Sequence, residues 1–162
     1  MRKLILLLLV VCTQVCTTHA QTYNSQEAQQ WYKDVSNDPM TSTPVEMVLK
    51  TSVTQEEFST AYHSLILAMR HTDHGLSMSF MVKGVEFQAD PKIIQIRLDN
   101  EPAETYAYYF ARPGDFRRID IPSGEDLVQR IRKARNMLVR VGFYAEGTRV
   151  YLFHVDNCPL QP

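Results

Sequence analysis

Met137-Leu138-Val139-Arg140-Val141-Gly142-Phe143-Tyr144-Ala145-Glu146-Gly147-Thr148-Arg149-Val150-Tyr151-Leu152-Phe153-His154-Val155 is the stretch that decides the fold class. It holds two β-runs, Met137 to Tyr144 and Arg149 to Val155, around the hairpin loop Ala145 to Thr148. Aromatic and β-branched content of this kind, bounded by a turn, favours strands. Just upstream, Ser123-Gly124-Glu125-Asp126 places a capping serine three positions before an acidic residue, the signature of a helix start. Leu127, Ile131, Ala134 and Leu138 then mark an apolar stripe, which predicts a helix over about 123–135. Tyr106 to Phe110 carries four aromatics in five positions and reads as one strand with both faces covered. Ile93 to Asp99 reads as a strand that ends in the turn Asp99-Asn100-Glu101-Pro102.

Further back, residues 63–70 pair best with Leu76 to Val82 as a hairpin around His71 to Gly75, although Phe58, Ala61, Tyr62, Leu65 and Met69 also follow helical spacing. Pro44 to Val53 reads as a strand. Trp31 to Val35 reads as a shorter one, separated from it by the turn signal Ser36-Asn37-Asp38-Pro39. Roughly seven or eight short strands with one inserted helix predict a mainly β fold, an antiparallel β-sandwich, over 31–162 as a single domain.

The N-terminus has a different character. Met1-Arg2-Lys3 is a short basic region, Leu4 to Cys12 an unbroken apolar run, and Thr18-His19-Ala20 places small residues at a cleavage site. These are the parts of a secretory signal peptide over 1–20, followed by a polar, glutamine-rich leader over 21–30. The apolar run is about nine residues, short of the roughly 20 that span a bilayer, so no transmembrane segment is expected in the mature chain. Cleavage near Ala20-Gln21 would place the protein in the periplasm or outside the cell. The full chain of 162 residues has 17 basic and 18 acidic side chains. Without residues 1–20 it is a chain of 142 residues with 15 basic and 18 acidic side chains, a formal charge of −3. A mildly acidic domain is a poor partner for nucleic acid, which selects a strongly basic face. Cys158 is then the only cysteine left. No intramolecular disulfide is possible, and Cys158 is either a free thiol or an intermolecular link.

Chemistry-bearing motifs are sparse. His71 and His74 stand at the two-residue spacing of zinc sites, with His63 nearby in sequence. No cysteine pair supplies further ligands, so these two are weak metal candidates and no cofactor is expected. The chain has no Gly-x-Ser-x-Gly elbow, phosphate-binding glycine loop or dinucleotide fingerprint, and a catalytic role is not expected. The densest basic run is Arg130, Arg132, Lys133 and Arg135, which helical spacing spreads over the exposed side near the helix C-terminus. Arg112-Pro113-Gly114-Asp115-Phe116-Arg117-Arg118 adds a basic loop with an aromatic anchor. Arg112, Phe116, Arg117, Arg118, Arg130, Arg132 and Lys133 are accordingly the candidate partner-binding residues.

Taken in order, Trp31, the stretch Asp38 to Thr43, the strand Val45 to Leu49, the segment Ile94 to Ala103, a helix and two closing strands ending in Phe153 resemble the VasI-like family of exported type VI secretion accessory proteins. Invasion-associated-locus-B-like proteins share a similar layout. The resemblance spans about 125 residues, with its best motifs at Arg97-Leu98-Asp99 and Asp38-Pro39-Met40. The family commonly has an arginine-cysteine pair on its central strand, where this chain has Ala68-Met69-Arg70. The resemblance implies a periplasmic β-sandwich without catalytic residues. The expected function is therefore a noncatalytic module that binds another envelope protein, in a secretion or conjugation system or a mobile element, through exposed sheet edges or the basic loop. An inhibitor or immunity protein against a toxin or cell-wall hydrolase is the first alternative. A small metal-binding hydrolase using His71 and His74 is the second.

Overall fold

Alternation of buried and outward side chains organises the chain into two antiparallel sheets. The computed structural model describes residues 30–37, 40–53, 63–72, 74–122 and 124–160. The expected signal segment, most of the expected leader, the turn expected at Asp38-Pro39, residues 58–62 and the serine expected to cap the helix, Ser123, lie outside the described residues. In chain order the elements are β1 (Tyr32–Asn37), β2 (Pro44–Thr51), β3 (Leu65–Thr72), β4 (Gly75–Val82), β5 (Ile93–Leu98), β6 (Glu104–Ala107), β7 (Tyr109–Phe110), β8 (Arg118–Ile121), α1 (Gly124–Ile131), β9 (Asn136–Phe143) and β10 (Gly147–His154). The larger sheet has the order β1-β2-β3-β4-β8-β7, and the smaller β10-β9-β5-β6.

The closing stretch forms the expected hairpin, with Leu152 opposite Leu138 and Phe153 opposite Met137. The β3–β4 hairpin also forms, with Thr72 opposite Gly75. Between the sheets, Val48, Leu67 and Phe80 meet Ile96, Val139 and Phe153, all buried. The ring centroids of Phe80 and Phe153 lie 6.1 Å apart. Burial of such side chains is worth about 1.5–3 kcal/mol each.

Two elements differ from their sequence reading. The aromatic run Tyr106 to Phe110 is two strands in different sheets, because the chain crosses the sandwich at Tyr108. That side chain is buried, and its hydroxyl donates to the Gln88 carbonyl oxygen. Strands that change sheets in this way make the corners of a sandwich. The chain enters the smaller sheet as β6, leaves it as β7, and β8 follows from Arg118, so the strands number ten among the described residues. The helix is also shorter than its apolar stripe predicts and ends at Ile131. Lys133 N donates to the Arg130 carbonyl and Ala134 N to that of Ile131, at 3.0 and 3.1 Å. These tighter i to i−3 bonds close the last turn so that β9 can begin at Asn136. The acidic residues Glu125 and Asp126 sit in the first turn, where the helix dipole favours them.

Backbone hydrogen bonds join the sheets along both margins. Phe87 N donates to the Phe116 carbonyl at 2.8 Å, while Gln88 N donates to that of Gly142 at 2.9 Å. On the opposite margin Ser52 N donates to the Leu65 carbonyl and Val53 N to that of Leu152, at 2.9 and 2.7 Å. The first and last parts of the domain are tied as well. The Trp31 indole donates to the Asp156 carbonyl at 3.0 Å and lies 5.4 Å from the ammonium of the fully buried Lys50. Burial lowers the Lys50 pKa, against the opposing field of Asp156. Lys33, on β1, pairs with Glu46 at 2.8 Å.

Asp99 joins the end of β5 to the start of β9. It sits in the left-handed region at φ 45°, and one carboxylate oxygen accepts from Arg135 N at 3.1 Å and Asn136 N at 2.8 Å. Asp99→Ala removes both acceptors and is expected to cost about 1–2 kcal/mol. Asp99→Asn keeps an acceptor and tolerates the left-handed conformation, so it should cost less. Urea unfolding followed by the fluorescence of Trp31, the only tryptophan, measures the order of the two variants.

Candidate functional site

The basic loop between β7 and β8 is built as a rigid turn. Arg112-Pro113-Gly114-Asp115 has proline at the second position and glycine at the third, with Gly114 at φ 80°. Asp115 N donates to the Arg112 carbonyl at 3.1 Å. These are the marks of a type II turn, in which only glycine takes the third position without strain. The Asp115 carboxylate then accepts from Arg117 N at 3.1 Å. Ala111 N donates to the Arg118 carbonyl at 3.2 Å, and Val82 N to that of Arg117 at 3.0 Å. The loop is therefore held by its own turn and by the chain behind it.

Phe116 anchors the loop from within. Its ring meets Phe110 edge-on at 4.8 Å, Tyr108 meets Phe110 at 5.9 Å, and the Lys92 ammonium lies 5.5 Å from the Phe110 ring centre. Such packing fixes the aromatic faces and attracts the cation. Burial pushes the Tyr108 hydroxyl pKa up to about 12, so it remains a donor. Arg112 and Arg117 are exposed, and their guanidinium groups have no partner among the described residues. Tyr109 beside them is 51% exposed. Arg118 differs: its guanidinium pairs with Asp120 at 3.2 Å and donates to Ser79 Oγ at 3.3 Å, so it supports the outer face of the larger sheet.

The second basic cluster lies elsewhere. Gly75, at the start of β4, faces Glu125 of α1, while Val82, at the other end of β4, bonds Arg117. At about 3.4 Å per residue, β4 holds the first turn of α1 at one end and the basic loop at the other, roughly 24 Å apart. Arg130 is also committed within the molecule. It donates to Glu101 at 2.6 Å and to Glu104 at 2.8 Å, while the Tyr106 hydroxyl donates to Glu104 at 2.5 Å. The two carboxylates raise the Arg130 pKa. Desolvation, then the bond to Glu104, raises that of Tyr106 to about 12. Arg132 is half-buried and donates to Gln129 at 2.9 Å, with its Nε buried and without a partner. Lys133 is exposed. The basic run thus falls on a helix end and the turn after it, and no longer reads as one solvated helix face.

The histidines disperse. His71 lies on β3 opposite Glu46 and Leu76, and His74 is exposed in the following turn. Among the described residues no group of three or more histidine, cysteine or acidic side chains is placed to hold a metal ion. His63 is the most enclosed of the three. Its Nε2 lies 2.8 Å from the Tyr151 hydroxyl and its Nδ1 3.8 Å from Glu146, with Phe143 edge-on at 5.2 Å. Burial, then Glu146, keeps the Tyr151 pKa above its ordinary value. Neither this trio nor the Arg130 cluster follows from sequence spacing, because 88 positions separate His63 from Tyr151 and 26 separate Glu104 from Arg130. Cys158 is half-buried, and burial raises its thiol pKa despite the opposing Leu160 backbone bond and Arg132 charge.

No family model matches the chain, no curated protein matches it, and no solved structure matches it.

The hydrogen bonds from Arg130 and then Tyr106 hold the Glu104 carboxyl down to about 2, against an ordinary value of 4.5. The unfolded chain therefore binds this proton more readily than the folded one. The stability Glu104 contributes is complete above about pH 4.5 and is lost as the pH falls toward 2. Glu104→Gln should flatten the fall in urea midpoint between pH 4.5 and 2. Identical acid profiles for the two proteins would count against the cluster.

Proposed function

We propose that this chain is an exported, noncatalytic protein-binding β-sandwich that docks an acidic surface of another envelope protein through Tyr109, Arg112, Phe116 and Arg117. One observation carries the reading: two guanidinium groups without partners among the described residues stand on a rigid turn beside an exposed tyrosine. Arginine and tyrosine are the side chains that most often dominate binding energy, and a turn already held in shape loses little entropy on docking. Arg118, Arg130, Arg132 and Lys133 fall outside this docking site, the first two because their charge is already paired. The resemblance to VasI-like proteins supports a setting beside a secretion or conjugation apparatus, or within a mobile element. The basic N-terminus, apolar run and small-residue cleavage site support export.

A crosslinking pulldown from periplasmic extract tests the docking. Wild-type protein should capture a specific partner, and Arg112→Glu/Arg117→Glu should reduce capture at least tenfold. Lys133→Glu, in the turn after α1 and outside the loop, should leave it unchanged. Equal capture by the double variant, or none above an unrelated β-sandwich control, would sink the proposal. N-terminal sequencing of the protein from the periplasmic fraction should begin at Gln21.

A further inference from the structure

The outer face of the smaller sheet has a chemistry of its own. The alternation that buries Ile94, Ile96, Val139 and Val141 turns Gln95, Arg97, Leu138, Arg140, Val150 and Leu152 outward, where they line a trough of about 460 Å³. Ala103, just before β6, closes one side. Leu152 lies opposite Leu138 and Val150 opposite Arg140. On the next strand Arg97 lies opposite Leu138, and Gln95 opposite Arg140. The floor is therefore aliphatic, and the two arginines stand as diagonal neighbours across β5 and β9.

Charge on this face is one-sided. Arg140 Nη1 donates to Gln95 Oε1 at 3.3 Å, and Arg97 has no partner among the described residues. The remaining outward positions of β5, β6, β9 and β10 are Ile93, Thr105, Ala107, Asn136, Gly142, Thr148 and His154, none of which is a carboxylate. Two like charges at diagonal positions repel, and none of the strand positions on this face supplies an acid to offset them. A complementary occupant brings carboxylates to the arginines and aliphatic groups to the floor.

The trough is open to solvent on one side. A small free ligand reaches useful affinity by burying most of its surface, which an open trough does not allow. A polymer gains by continuing past both ends. The trough spans three strands, about 10 Å across, the width of one extended chain. Lysine, tryptophan and tyrosine, which adapt a protein surface to lipid headgroups, are absent from these outward positions.

We propose that the outer face of the smaller sheet is a second docking site, which takes an extended segment of a partner protein carrying acidic and aliphatic side chains together on one side. The basic loop is linked to the larger sheet and this trough lies on the smaller one, so the domain would join two partners.

The test uses the mature chain and a labelled peptide, Ser-Leu-Ser-Glu-Ser-Glu-Ser-Leu-Ser, whose leucines and glutamates face one side when extended. Fluorescence anisotropy should show saturable binding at least tenfold tighter than that of the same peptide with glutamine for glutamate, and weakening as salt rises. Arg97→Gln/Arg140→Gln should weaken binding at least tenfold while the thermal midpoint stays in place. Arg112→Glu/Arg117→Glu should bind the peptide as wild type does, which separates this site from the loop. Equal affinity for the glutamine peptide, or unchanged binding by the Arg97/Arg140 variant, would overturn the proposal. So would vesicles containing phosphatidylglycerol that bind more tightly than the peptide and need the same two arginines, since the occupant would then be a membrane.

Discussion

The sandwich depends on where its chain crosses between the sheets, and the buried side chain of Tyr108 marks that crossing. A sandwich needs both sheets covered on their inner faces, and here one aromatic run serves both. Tyr106 stays with the smaller sheet, opposite Ile94, and Phe110 joins the larger one, opposite Ile119. The hydroxyl of Tyr108 must still find an acceptor inside the structure, and the Gln88 carbonyl provides it. Everything after this point is placed by the crossing: the loop at Arg112 to Arg117, the strand β8 beside β4, and the helix that follows β8. The rigidity of the basic loop is thus a consequence of core packing as much as of its own turn.

Much of this was legible in the residues. The hairpin of β9 and β10, the β3–β4 hairpin and the strand β5 follow from local composition and turn chemistry, because each is a short-range pattern. The sheet crossing is not local. Tyr106 to Phe110 has the composition of a single strand, and only the positions of β5 and β8 decide that it divides. The helix end escaped for a similar reason: Ala134 and Leu138 continue the apolar spacing, yet Leu138 belongs to the outer face of β9. The anchored loop was half visible. Its proline and glycine announce a turn, while the commitment of Arg130 to Glu101 and Glu104 depends on how α1 meets the turn and strand at 101–104.

The two basic clusters also show how little charge alone says about a surface. Arg130 belongs to the most basic run in the chain, but Glu101 and Glu104 meet it from the turn and strand opposite. Arg97 and Arg140 are isolated in sequence and share a face only because β5 and β9 pair in register. Exposed ion pairs are worth little in stability. An arginine without an internal partner keeps its full capacity for charge-assisted bonds to an external carboxylate.

The pairing of Lys33 with Glu46 has a consequence for the free edge of the larger sheet. β1 is the outermost strand there, and an open edge is a template for another chain. Lys33 lies opposite the core residue Val48, so its ammonium and the Glu46 carboxylate project along the inner side of that edge. A strand added to β1 would carry this ion pair away from water, and the desolvation of two charges opposes such growth. The ion pair thus opposes further pairing at this edge, in a structure whose described residues hold no disulfide.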